Sequence, residues 1–168
     1  MVQGAPIRVE ADHARRYPGA DKLATECMVN LIRTENLVSA EVNGRFRRFG
    51  LTGSTFNVLM ILNDATEPLS PHQLGERLLV TRGTVTGLLD TLQRQGLVRR
   101  VPHPGDRRML LIELTQTGRT VLRKTWRTHF PAQTEMMSVL SDPEKETLLR
   151  LLGKLQAHLE ARAVQARA

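Results

Sequence analysis

Apolar residues recur along the chain with two different periods, and the places where the period changes locate its elements. From Asp21 a stripe spaced by three, four or seven residues runs through Leu23, Cys27, Leu31, Val38, Val42, Phe46 and Phe49, which predicts one long helix ending near Gly50. A second helix carries Phe56, Val58, Leu59, Ile61 and Leu62 and stops before the polar stretch 63–68. Ser70 then reads as an N-cap, with Pro71 at the first helical position and Gln73 completing the capping pattern. The short helix it opens turns Leu74 and Leu78 inward. Thr81 is the next N-cap, and Val85, Leu88, Leu89 and Leu92 form the inner stripe of a helix closed by Gly96. The period then falls to two. Residues 97–101 and 109–114 read as strands of a hairpin around the turn formers Pro102, His103, Pro104, Gly105 and Asp106. Thr115 restarts helix, with Val121, Leu122, Trp126 and Phe130 on one side, as far as Pro131. A last helix opens at Ser141 and carries Leu148, Leu149, Leu152, Leu155 and Leu159. Residues 1–20, with Pro6, Pro18 and Gly19, show no periodicity and read as a flexible arm.

This order predicts a mainly α fold with a small β-hairpin wing. Residues 51–114 form a winged helix-turn-helix domain, and residues 21–50 and 115–164 form a helical dimerisation region. A helix enters the major groove of DNA only if its outer face is slim and polar and a second helix braces it. With its leucines inward, the helix after Thr81 presents Gly83, Thr86, Gly87 and Asp90, flanked by Arg82 and Thr84. Surface helices without such a role more often carry Glu, Lys and Gln. Thr81, Arg82, Gly83, Thr84, Thr86 and Gly87 are therefore the expected recognition residues. Ser70, His72 and Gln73, in the first turn of the bracing helix, are expected phosphate contacts. In the hairpin, His103, Arg107 and Arg108 are expected to reach the minor groove, with Asp106 fixing the loop through an ion pair.

Composition sharpens this picture. The 168 residues carry 24 Lys and Arg against 17 Asp and Glu, a net charge of +7 that suits a polyanionic partner. Aromatics make up only 4% of the chain, which favours helix-on-helix packing. No apolar run is long enough to span a membrane, and the first 16 residues lack the apolar core of a secretory signal. One cysteine excludes an intramolecular disulfide framework, so the cytoplasm is the expected compartment. The chain has no glycine-rich phosphate loop, nucleophile elbow, Cys-rich metal pattern or paired carboxylates on one face, and an enzyme is not expected. Its histidines, His13, His72, His103, His129 and His158, lack close metal-ligand spacing. No catalytic residue, metal or cofactor is assigned.

Several stretches in this order resemble the MarR family of bacterial transcriptional regulators. They are Leu74-Gly75-Glu76-Arg77-Leu78, Thr84-Val85-Thr86, Leu88-Leu89-Asp90, Gln95-Gly96-Leu97-Val98, Asp106-Arg107-Arg108 and Leu114-Thr115-Gln116-Thr117-Gly118. The resemblance spans roughly residues 23–159. It implies a homodimer built from terminal helices, a pseudo-palindromic operator on double-stranded DNA, and release by a small ligand or by oxidation. Gly87 departs from the family, where that position is often basic, and shifts the expected base readout toward Arg82 and the threonines. The resemblance also implies an effector pocket between dimerisation helices and winged domain, for which Phe46, Phe49, Phe56 and Trp126 are candidates; core packing is the other reading of these rings. Cys27 lies where some relatives sense peroxides, and on an apolar stripe where a thiol serves as inert packing. The leucines of the last helix exceed what one chain needs to cover its own core, which supports pairing of two copies.

Overall fold

The computed structural model describes residues 4–106 and 108–165. Its elements are α1 (His13–Arg16), α2 (Lys22–Phe46), α3 (Gly53–Asp64), α4 (Pro71–Leu78), α5 (Arg82–Arg94), β1 (Val98–Pro102), β2 (Leu110–Leu114), α6 (Gln116–Met137) and α7 (Asp142–Gln165). The chain divides into two compact units, Met1–Thr125 and Trp126–Ala168.

In the first unit, side chains placed by helical and strand periodicity meet in one core. Val58, Leu59, Leu74, Val85, Leu89, Leu92, Ile112 and Leu122 are all buried there. Burying each such side chain contributes on the order of 2 kcal/mol from removal of apolar surface from water. Side-chain caps set the helix boundaries. Ser70 Oγ accepts from the Gln73 N–H while Gln73 Oε1 accepts from the Ser70 N–H at 2.8 Å, a reciprocal box that opens α4 behind Pro71. Thr52 and Thr55 make the equivalent box for α3. The first helix ends as the spacing predicts: α2 passes into a 3-10 turn at Arg47–Phe49 and Gly50 adopts a left-handed φ of 69°.

The wing is a two-stranded antiparallel sheet with Val98 opposite Leu114 and Arg100 opposite Ile112. Leu69, just before α4, adds a short bridge, its carbonyl accepting from the Ile112 N–H at 2.7 Å. Thr115 Oγ1 donates to the Gly96 carbonyl and accepts from the Gly118 N–H, so one hydroxyl ties the end of α5 to the start of α6. Gly118 lies directly against the chain: a Cβ there would sit 2.1 Å from the Leu97 carbonyl oxygen. The family-like stretch around Gly118 thus includes a position at which only hydrogen fits.

Two findings differ from the sequence expectation. Helix α6 runs through Pro131 to Met137. Proline removes one N–H donor and perturbs one turn, and this helix absorbs that locally, with Thr134 donating to the Phe130 carbonyl at 3.0 Å. The N-terminal segment, which shows no periodicity, is fastened to α2. Asn30 accepts from the Ile7 N–H and donates to the Ile7 carbonyl, and the buried Glu26 carboxylate takes Arg8 Nη1 at 2.6 Å and the Val9 N–H at 3.1 Å. These bonds hold the Glu26 carboxyl below the usual carboxylate range, with the Arg8 hydrogen bond the largest cause.

The second unit is all helical. Ser141 donates through both its N–H and its hydroxyl to the Glu144 carboxylate, which opens α7 and lowers the Glu144 pKa. Along α7, Leu148, Leu149, Leu151, Leu155 and Leu159 are exposed. Within the first unit, α2 likewise exposes Leu23, Leu31, Ile32, Leu37 and Val38. None of the described helices is long and apolar enough to cross a membrane.

Candidate nucleic-acid interface

Helix α5 is built to keep one face thin. Val85, Leu89 and Leu92 are buried and Leu88 is half-buried, so the opposite face is left to small residues. Thr81, Arg82, Gly83, Thr84, Thr86 and Gly87 are all exposed. Thr81 Oγ1 caps the helix by accepting from the Thr84 N–H at 3.3 Å, and the two threonine hydroxyls share a 2.9 Å hydrogen bond. Thr86 donates to the Arg82 carbonyl at 3.0 Å, which leaves its oxygen lone pairs open to a donor. A Cβ at Gly87 would meet nothing within 4 Å, so the face is open there. The helix N-terminus adds partial positive charge from its unpaired N–H groups. This surface can approach base edges closely and attract phosphate.

In the bracing helix the three expected phosphate contacts separate. His72 is exposed, with Nε2 3.4 Å from Glu76 Oε1. Gln73 is exposed as well, but Ser70 is buried, and its hydroxyl serves the capping box. The α4–α5 turn is left-handed at Leu79, with φ of 54° and an exposed side chain.

The wing tip is organised by backbone bonds. His103 Nδ1 accepts from the N–H groups of Gly105 and Asp106 at 3.0 and 3.1 Å, which puts the ring proton of the neutral imidazole on Nε2. Asp106 Oδ1 accepts from the Arg108 N–H at 2.9 Å. Asp106 thus shapes the turn through the main chain, as Asp commonly does; the expected ion pair with Arg107 lies outside the described residues. Arg108 is exposed beside it. Arg107, the other expected minor-groove cation, lies outside the described residues.

Sequence reasoning missed the tie between helix and wing. Arg100 of β1 donates from Nη2 to Asp90 Oδ1 at 2.6 Å and from Nη1 to Gln93 Oε1. Asp90 is thus engaged by the protein itself. An arginine two residues into the strand, following an acid on the exposed helix face, was the available signal. On the other side of the strand Arg99 pairs with Glu113 across the sheet at 2.7 Å.

The other candidates lie on several elements. Phe46 and Phe56 are buried with ring centroids 4.6 Å apart, and Phe49 is half-buried under the Arg48 guanidinium. These three belong to the first unit, whereas Trp126 opens the second. Cys27 is exposed on α2 in the single chain, and Tyr17 packs against His13 with centroids 5.1 Å apart. Among the described residues, no group of three or more His, Cys, Asp or Glu side chains is placed to hold a metal ion.

Comparison with known proteins agrees with this geometry. The profile of the MarR family matches residues 49–109, from the end of the first long helix to the wing. The HTH-type transcriptional repressor YetL of Bacillus subtilis is 36% identical over 145 residues, covering 86% of this chain and 87% of its own. The HTH-type transcriptional regulator PecS of Dickeya dadantii is 31% identical over 131 residues, covering 77% and 79%. Among solved structures, a mutant MarR from E. coli complexed with operator DNA superposes with a TM-score of 0.71 at 26% identity, covering 88% of this chain and 99% of that one. A slim capped helix, its brace and a cation-bearing hairpin, in a chain alike over most of its length to such proteins, make this a member of the MarR family of DNA-binding winged helix-turn-helix transcriptional regulators.

Proposed function

We propose that this protein is a repressor that binds a pseudo-palindromic operator as a homodimer and is released by a small aromatic or phenolic ligand. The observation that carries the DNA-binding part is the α5 face: capped by Thr81, occupied by threonines and glycines, with Arg82 at its first position and exposed to solvent. In this reading Thr81, Arg82, Gly83, Thr84, Thr86 and Gly87 meet base edges and phosphates. Arg107 and Arg108 enter the minor groove, and His72 and Gln73 meet the backbone. Ser70 acts through its cap, and His103 and Asp106 through the turn. Repression is supported by the name of the B. subtilis relative. Homodimerisation is supported by the apolar residues that α2 and α7 each expose, because a second copy would bury them and set two recognition helices about one DNA turn apart, roughly 34 Å. Such a regulator works in the cytoplasm, where the chromosome is.

Selection of bound duplexes from a random pool tests the reading, repeated with phenolic ligands and with peroxide. Enrichment of an inverted repeat supports a dimer on DNA; a protein that enriches no sequence ends the proposal. Replacing Arg107 by Ala should weaken operator binding by about 1–3 kcal/mol, whereas a winged domain that serves only protein partners would be indifferent to it. The second reading is peroxide acting on Cys27, which is exposed in the single chain, on the α2 stripe that a second copy would meet. In the peroxide arm, unchanged DNA affinity eliminates it.

A further inference from the structure

The Arg100 bridge is more than a surface ion pair. Its guanidinium reaches from β1 to two acceptors one helical turn apart on α5, Asp90 Oδ1 at 2.6 Å and Gln93 Oε1. Helix and strand also meet through the short turn 95–97 and in the core, where Leu92 and Val98 are buried. Asp90 is the one acidic residue in α5, and it lies on the same helix as the threonine and glycine face. Left unpaired, that carboxylate would repel a phosphate backbone. Two parallel donors from a planar fork also fix direction as well as distance, which a lysine ammonium cannot do. An exposed pair of this kind adds little to stability, so its consequence lies in what it holds in place.

We infer that Arg100 is a positioning residue for DNA recognition: it sets the angle between recognition helix and wing and neutralises Asp90, without itself touching DNA. The inference rests on the DNA-binding reading above. With the bridge in place, a helix in the major groove and a hairpin tip in the neighbouring minor groove are presented as one body. Without it, the base of the wing stays packed through Val98 and Ile112, but its angle to α5 is less tightly set, and fixing that angle on binding lowers affinity.

The test uses the full-length protein and the duplex that the wild type selects, with affinity measured over a series of salt concentrations. Far-UV circular dichroism and melting confirm that each variant folds. R100A should weaken binding roughly tenfold while leaving the slope of log affinity against log salt unchanged. R100K, which keeps the charge and loses the fork, should stay close to R100A. Asp90→Ala should weaken binding in the wild-type background, because an anchor is lost. In the R100A background the same change should strengthen binding, because an unpaired carboxylate is removed. That reversal of sign is the signature of positioning.

Full affinity in R100A overturns the inference. A salt slope reduced by about one identifies Arg100 as a direct phosphate contact instead. Rescue by R100K, or tighter binding of Asp90→Ala in both backgrounds, reduces the bridge to simple charge. Each of these leaves the DNA-binding reading intact. A wild type with no preference for any duplex removes both.

Discussion

Helices α4 and α7 both carry leucines at helical spacing, yet Leu74 of α4 is fully buried while Leu149 of α7 is 63% exposed. The difference is one of closure. Around α4 the chain supplies every surface its apolar residues need: α3, α5 and β2 all pack against it, and the capping box satisfies its first N–H groups. Helix α7 is as regular and as well started, with Ser141 and Glu144 at its head, but its own unit leaves its leucines in water. The same periodicity thus describes a helix whose leucines complete a core and a helix whose leucines are left exposed. On the reading proposed above, a second copy covers the latter.

Four experiments break or sharpen that contrast. The largest effect is expected from Leu74→Ala, which opens a cavity in a closed core and should cost about 2–5 kcal/mol in urea unfolding. Leu155→Ala on α7 should instead leave the melting of dilute monomer nearly unchanged and raise the dimer dissociation constant in sedimentation. Equal stability losses in dilute monomer would show that α7 is closed too. Next comes Gly118→Ala. With the Leu97 carbonyl 2.1 Å from the new Cβ, a loss of about 3 kcal/mol is expected, whereas Gly153→Ala in α7, with nothing within 4 Å, should gain up to about 1 kcal/mol.

Smaller again is Ser70→Ala. Loss of the α4 cap should cost about 1 kcal/mol of stability. DNA affinity, measured well below the melting temperature, should barely change if the cap is what Ser70 contributes; a large drop would restore it as a phosphate contact.

The smallest effect concerns the strap on α2. Because Arg8 and the Val9 N–H depress the Glu26 pKa in the folded state, the unfolded chain takes up the proton first as pH falls. The contribution is therefore present above the ordinary carboxylate value of 4.5 and is lost below it, as pH passes through the folded pKa. Glu26→Gln should flatten the acid limb of the melting-temperature profile, and an unaltered limb would show that the strap adds nothing.

Much of the exposed surface of α5 and its surroundings was legible in the sequence. Ser70, Thr81 and Gly96 punctuate the chain through bonds to residues no more than a few positions away, so their roles travel with the local sequence. The α5 face followed from the same periodicity, since burying Val85, Leu89 and Leu92 leaves the remaining positions outside. Aromatic residues were less informative. Phe46 and Phe56 pack together in one core, a pairing that residue type does not reveal. Asp106 also serves a backbone N–H, that of Arg108, because Asp in a turn serves a main-chain donor as readily as a cation.

Sequence alone therefore determined most of the helices, the caps at Ser70 and Thr81, the hairpin, the small-residue face of α5 and the family to which they belong. The tertiary structure decided which long-range partners meet. It brought Asn30 to Ile7, the Leu69 carbonyl to Ile112, Arg100 to Asp90 and Gly118 against Leu97. The physical reason is range. Caps and periodic faces are settled within one or two turns of chain, where geometry is fixed by bonded neighbours. Contacts between residues farther apart depend on how whole elements stack, and many side chains compete for each place until packing selects one.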